Sequence, residues 1–211
     1  MTQEKEKNTE KKSRGIIVLD PGHGQFGNPH TTKEGFYEGT QNFILAGFLR
    51  EYLEELGFET VMTRNEVTDD PELADRGSLA GKLGAVLFLS IHSNAPGGDP
   101  KSEKYPLVRG AETYYSVSDL EENAKIAREL NDAVVKTMGT SDRGIKTRRY
   151  PGDESVDYYG VMRAAVASGC RRAFLIEHGF HTNPEDSAFL QDSRCLKKLA
   201  KAEAEVIDRL F

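Results

Sequence analysis

The chain has 211 residues, 37% of them hydrophobic and 29% charged, with a formal net charge of −6. That length suits one substantial core and is short for two, so a single domain is expected. The acidic balance excludes a nucleic-acid binder working through a broad basic surface; no apolar run approaches the length needed to cross a bilayer, and the N-terminus lacks the apolar core of a secretory signal.

Residues 1–13 are rich in Glu and Lys and carry no apolar residue after Met1. A disordered tail is expected there, with 14–211 forming the folded domain. IIVL at 16–19 reads as a strand buried on both faces, and Asp20, Pro21 and Gly22 turn the chain to deliver His23 just past its end. In open α/β sheets the crevice at the carboxyl ends of the strands is where ligands bind. One histidine there reads equally well as a turn residue bonded to backbone. A Gly-rich loop follows to about Thr40. Ile44, Leu45, Phe48, Leu49, Tyr52, Leu53 and Leu56 then recur at three and four residues, predicting an amphipathic helix from Gln41 with Gly57 as its stop. FETVMT at 58–63 reads as the next strand, and Asp70 with Pro71 as the N-cap and first position of a helix ending near Gly84.

AVLFLSI at 85–91 is a second fully buried strand, ending on His92. Residues 94–109, with three prolines and a Gly-Gly pair, read as an exposed excursion. AETYYSV at 111–117 predicts a strand, and Ser118 with Glu121 a capping box for a long helix to Gly139. The polar text from 140 to 157 predicts no element. A short helix is expected over 159–168. A third buried strand, AFLI, then ends on Glu177, and Asn183 with Pro184 reads as a further N-cap pair before a closing amphipathic helix through Leu196, Leu199, Ala200, Val206 and Leu210. Strands alternating with helices predict an α/β domain: a mostly parallel or mixed twisted sheet, helices on both faces, and a site at the strand C-terminal edge. Cys170 and Cys195 are too few for a disulfide framework and are expected to be free.

Three buried strands ending on His23, His92 and Glu177 bring those groups together if the strands are neighbours. Imidazole and carboxylate ligands with one open position are what a catalytic zinc site requires, and Glu38, ahead of the first long helix, is the candidate third ligand. His178 should point to the opposite side of an extended strand from Glu177, favouring a structural or supporting role, whereas His30 and His181 read as surface loop residues. Among the arginines, 148, 149, 163, 171 and 172 are of the type that meets planar carboxylates.

LDPGHG, Glu38 leading into a helix with Asn42, SIHSNA and FLIEHGFHTNPED follow one another from about Ile16 to the C-terminus. In that order they resemble the four motifs of the zinc-dependent N-acetylmuramoyl-L-alanine amidases of the amidase_3 type, the catalytic domains of cell-wall hydrolases. Thr63-Arg64, Arg76-Gly77 and Arg143-Gly144-Ile145-Lys146 are smaller echoes of the same pattern. The resemblance implies that His23, Glu38 and His92 bind one Zn2+ and that Glu177 is the catalytic carboxylate. It implies a hydrolase of the autolysin or endolysin kind that cleaves the amide between the muramic lactyl group and L-alanine of the peptidoglycan stem. Asn94 and Arg163 are candidate substrate contacts. The expected partner is peptidoglycan at the bacterial cell wall, with the protein monomeric by default and targeting supplied by the domain itself, by an activator or by a wall-targeting partner. The lack of an export signal fits release by lysis, or a chain whose signal has been removed. Two alternatives stay open: a zinc peptidase on free peptides, and a wall-binding module of the same fold without catalysis, against which the joint presence of His23, His92 and Glu177 counts. The chain departs from the family pattern at Gly39 and Thr40, where charged residues are more usual. The excursions at 94–109 and 146–157 are expected to shape or partly cover the substrate groove.

Overall fold

The computed structural model describes residues 13–29 and 35–211, so the expectations for residues 1–12 and for His30 lie outside the described residues. The strands are β1 (Ile16–Pro21), β2 (Glu59–Met62), β3 (Leu87–Asn94), β4 (Ala111–Tyr115), β5 (Asp142–Lys146), β6 (Arg149–Tyr150), β7 (Asp153–Asp157) and β8 (Ala173–Phe180). The helices are α1 (Glu38–Glu55), α2 (Leu73–Lys82), α3 (Leu120–Met138), α4 (Gly160–Ala167), α5 (Pro184–Gln191) and α6 (Ser193–Leu210). Six strands make one mixed sheet in the order β2-β1-β3-β8-β4-β5. The first four run parallel, and β4 lies antiparallel to β8 with β5 parallel to β4.

Both faces of the sheet are covered, which is why β1, β3 and β8 read as unbroken apolar runs. Ile17, Leu19, Leu87, Leu89, Ile91, Phe174 and Ile176 pack with α1, α3 and α6. Val18, Phe88, Ala173 and Leu175, alternating with them, pack with α2 and α4 on the other face. This is the α/β architecture expected. No helix among the described residues is long and apolar enough to cross a membrane, and both cysteines are free.

Several boundaries differ from expectation. β1 continues through Asp20 and Pro21, because the ladder resumes at once with Gly22 N–H donating to Ile91 O at 2.9 Å. Asp20 is accommodated by Ser90 Oγ and Thr63 Oγ1, each donating to it at 2.6 Å. β3 and β8 likewise run past His92 and Glu177 to Asn94 and Phe180. Asp70 and Pro71 do not cap α2; Glu72 holds that position, and Asp70 Oδ1 instead accepts from Arg76 Nη2 at 2.6 Å. The expected capping box at Ser118 is replaced by a short 3-10 turn at Val117–Asp119, which moves the cap to Asp119, whose carboxylate accepts from Glu122 N–H. Residues 140–157 hold β5 and the β6–β7 hairpin, polar strands that are exposed or half-buried along most of their length, with no apolar alternation to betray them. The closing helix is two: Asp192 breaks the chain between α5 and α6 and caps the second. Gly57 (φ +92°) and Gly139 (φ +63°) stop α1 and α3, and Asn183 Oδ1 caps α5, as read from the residue types.

Candidate active site

Strand order puts β1, β3 and β8 side by side, and register does the rest. Pro21 lies against Ile91, His92 against Glu177, and Glu177 against Glu112 of β4. Since Ile91 and Ile176 face α1, α3 and α6, alternation turns His92, Glu177 and Glu112 to the α2 and α4 face. A cleft of about 400 Å³ opens there, lined by His23, His92, Glu177, Leu73, Arg76 and Tyr159 among others.

His23 follows the turn after β1 with φ +61°, in the left-handed region. That backbone costs a non-glycine residue roughly 1–2 kcal/mol, so the fold holds this histidine against a local preference. Two glycines make the approach possible. A Cβ on Gly22 would overlap the His92 imidazole, and one on Gly39 would overlap the carbonyl oxygen of Gly24. Gly39 therefore has a packing role: the first turn of α1 lies directly on the loop that carries His23, with Arg64 Nη2 donating to Gly39 O from behind.

Glu38 is the first residue of α1 rather than a loop residue before it, and it is only 1% exposed. Its Oε1 accepts from Ser93 N–H at 3.0 Å and from Asn42 Nδ2 at 3.3 Å, and lies 3.0 Å from His92 Nδ1. Its Oε2 accepts from Asn28 Nδ2 at 2.5 Å and lies 3.4 Å from His23 Nε2. One ligand atom from each of His23, Glu38 and His92 falls within 4.8 Å of the others. A tetrahedral zinc ion with bonds of about 2.0–2.1 Å needs its ligand atoms roughly 3.3 Å apart. The donor types fit that ion, and the two imidazoles approach the Glu38 carboxylate from its two oxygens, His92 at Oε1 and His23 at Oε2.

The electrostatics follow from the same contacts. Burial alone would raise the Glu38 carboxyl, but hydrogen bonds and charge from His23 and His92 bring it well below the usual carboxylate range. Its hydrogen bond to His23 raises that imidazole, burial notwithstanding. Glu177 goes the other way: burial first, then the negative charges of Glu38 and Glu112, push it well above the carboxylate range, with Lys146 opposing. Glu177 Oε2 is buried without a hydrogen-bond partner among the described residues. A carboxyl raised and left with one oxygen unpaired in a cleft is suited to exchanging a proton with a bound reactant.

His178 lies on the opposite face, as alternation required. It is fully buried between His92 O, 3.0 Å from Nδ1, and Glu203 Oε1 of α6, 3.0 Å from Nε2. A carbonyl only accepts, so Nδ1 carries a proton and donates to His92 O. The Nε2 contact needs a further proton, on the ring or on the carboxyl. His181 is not a surface residue: it is 1% exposed, with Nδ1 3.0 Å from Ser93 Oγ and 4.0 Å from Glu38 Oε2, and stacks on Phe36. The extension of β8 to Phe180 carries the next turn beneath the site, which is what buries it.

Asn94 Nδ2 donates to Glu112 Oε1 at 3.1 Å. Arg163 Nη1 donates to the carbonyls of Asp157 and Tyr158 at 2.8 and 2.9 Å, bracing the junction of β7 with α4, and its guanidinium lies over Tyr150. Arg148 lies over the ring of Tyr158, 3.6 Å from its centroid, and Arg149 pairs with Glu154. Arg171 and Arg172 precede β8 and so sit at the other edge of the sheet, bonded to Ser118 O and to Glu122. Reading by residue type missed Glu112, which accepts from Arg143 Nε at 2.8 Å and Lys146 Nζ at 2.5 Å. The signal was an acid alternating with the apolar positions of β4.

A family model described as N-acetylmuramoyl-L-alanine amidase, Amidase_3, matches residues 17–209. The chain is 30% identical over 187 residues to the N-acetylmuramoyl-L-alanine amidase LytC of Bacillus subtilis, covering 88% of this chain and 33% of that protein. It is 30% identical over 200 residues to the sporulation-specific N-acetylmuramoyl-L-alanine amidase of the same organism, covering 92% of this chain and 68% of the relative. The chain thus spans about a third of the first relative and about two thirds of the second. Among solved structures, the catalytic domain of CwlV, an N-acetylmuramoyl-L-alanine amidase from Bacillus (Paenibacillus) polymyxa var. colistinus, superimposes with a TM-score of 0.71 at 27% identity, covering 92% of this chain and 97% of that one.

Proposed function

The chain belongs to the Amidase_3 family of N-acetylmuramoyl-L-alanine amidases, and from that premise we propose that it is a zinc-dependent peptidoglycan hydrolase cleaving the amide between the muramic lactyl group and the L-alanine of the stem. Residues 14–211 are the catalytic domain. His23, Glu38 and His92 hold the ion, Glu177 is the catalytic carboxylate, and the protein acts at the bacterial cell wall. The observation that carries this reading is that two imidazoles joined by the buried Glu38 carboxylate line one cleft with Glu177, a raised carboxyl.

The chemistry zinc supplies when bound is polarisation of a carbonyl and acidification of water. The chain's own residues do the remaining work. Glu177 takes the proton of the attacking water and returns it to the nitrogen of the departing L-alanine; a raised carboxyl favours both the acceptance and the return of that proton over an ordinary carboxylate. Glu38, pinned by Ser93 N–H, Asn42 and Asn28, orients both imidazoles. His178 holds the backbone of His92 from beneath. Asp20, fixed by Ser90, Thr63 and Arg76, stiffens the strand that leads to His23.

Glu177→Gln and His23→Ala separate the roles. The first should keep zinc stoichiometry near that of the parent and lower turnover on peptidoglycan by about 10²–10⁴-fold; the second should lose metal and turnover together. Full turnover in Glu177→Gln would remove the assignment.

A further inference from the structure

Beside Glu177 the same sheet face carries a pair of cations that take no direct part in the proposed proton transfers. Glu112, 3% exposed, anchors them: Arg143 donates through Nε and Lys146 through Nζ, while Asn94 Nδ2 and Tyr114 Oη also donate to it. Two cations against one carboxylate leave a net positive charge. Arg143 commits only Nε to the protein. Its guanidinium lies over the Phe180 ring at 4.8 Å, and neither Nη has an acceptor among the described residues. Each of the two side chains is 35% exposed. A guanidinium held at one edge and along one face, with the outer fork open, is already organised for a planar anion.

What surrounds the pair points the same way. Arg143 and Lys146 line an open groove of about 630 Å³ with Leu107, Arg109 and Asp142. Asp142 is already bonded to Arg128 and Asn131, and Arg109 to Glu185 and Asp186, so the pair is the part of the groove left to recognise a ligand. The groove lies on the β4 and β5 side of Glu177, two strand spacings or about 10 Å away. The side chains reaching back to Glu112 shorten that distance. An extended peptide advances about 3.3–3.6 Å per residue, so the second residue beyond the scissile amide comes within reach.

Resting on the amidase reading above, we infer that Arg143 and Lys146 form a carboxylate site for the peptide stem, selecting a stem whose second residue keeps its free carboxylate over one amidated there. The stem leaves the cleft across β4 and β5, and the cations offset the repulsion that the Glu112 and Glu177 carboxylates exert on an anionic peptide.

The test is binding of two synthetic stem tetrapeptides, with D-glutamate or D-isoglutamine second, to the zinc-loaded full chain by calorimetry, alongside KM on the matching muropeptides. The parent should prefer the free acid about tenfold. Arg143→Met and Lys146→Met should bring that ratio towards one, Arg143→Lys should fall between, and added salt should shrink the preference. No preference in the parent, or one unchanged in both Met variants, overturns the site. Arg143→Lys keeps the charge beside Glu112, so it tests the fork even where a Met variant fails to fold. A parent that discriminates the peptides yet hydrolyses neither muropeptide would sink the amidase reading and leave the carboxylate site standing.

Discussion

Replacing His178 with leucine removes two things at once: the donor to His92 O and the hydrogen-bond partner of Glu203 Oε1. Glu203 is fully buried and its Oε2 is already without a partner among the described residues. Breaking a buried pair by taking one member costs about 3–5 kcal/mol, and at about 2–4 °C per kcal/mol for a chain of this size the melting temperature should fall by roughly 6–20 °C. The double variant His178→Leu with Glu203→Leu removes the stranded acid as well. It loses only the side-chain hydrogen bond to the His92 carbonyl, worth about 0.5–1.5 kcal/mol, so it should be more stable than the single variant. The assay is calorimetric melting of the chelator-treated protein, so that metal binding does not enter the comparison. A double variant as unstable as the sum of the two singles would refute the pairing of His178 with Glu203.

Three further outcomes follow from the same contacts. The proposed mechanism needs ionised Glu177, and its carboxyl lies above the usual range, so kcat/KM should fall on acidification at a pH above that of an ordinary carboxylate; Lys146→Met should move this limb up and Glu112→Gln down, and a limb that neither variant shifts would contradict the stated causes. Because Glu38 raises His23 and a ligand must shed its proton, zinc affinity should weaken as pH falls through that raised value, with protons released on binding; zinc titrations in buffers of different ionisation enthalpy read both. Gly39→Ala should lose most zinc binding, because the added Cβ meets Gly24 O beneath His23; retained stoichiometry and affinity would show that this contact is slack.

The strands that build the site were legible because they are covered on both faces, so that β1, β3 and β8 carry unbroken apolar runs. Their ends were not, since Asp20, His92 and Glu177 are polar residues that stay in the ladder while facing a cleft. Polar text suggested turns there, but the ladder persists. β5 and the β6–β7 hairpin were hidden for a related reason: strands at the rim of the fold, exposed or only half-buried, need no apolar alternation. Within the site, strand alternation correctly sent His178 to the far face. It could have named its partner too, because Glu203 falls seven residues after Leu196 on the apolar stripe of α6. His181 was misread because its burial comes from the turn after β8 folding under Glu38, a tertiary fact with no local mark. Arg171 and Arg172 show the value of strand direction: preceding β8 excludes them from the edge at which it discharges Glu177.

The central claim is hydrolysis of the lactyl amide by the His23, Glu38, His92 and Glu177 cleft. Its most direct test is mass spectrometry of the fragments released from purified peptidoglycan by the zinc-loaded protein. The account requires intact stem peptides bearing a free L-alanine amine, absent from a Glu177→Gln digest. Cleavage inside the stem, or no release by a protein that binds zinc, would contradict it.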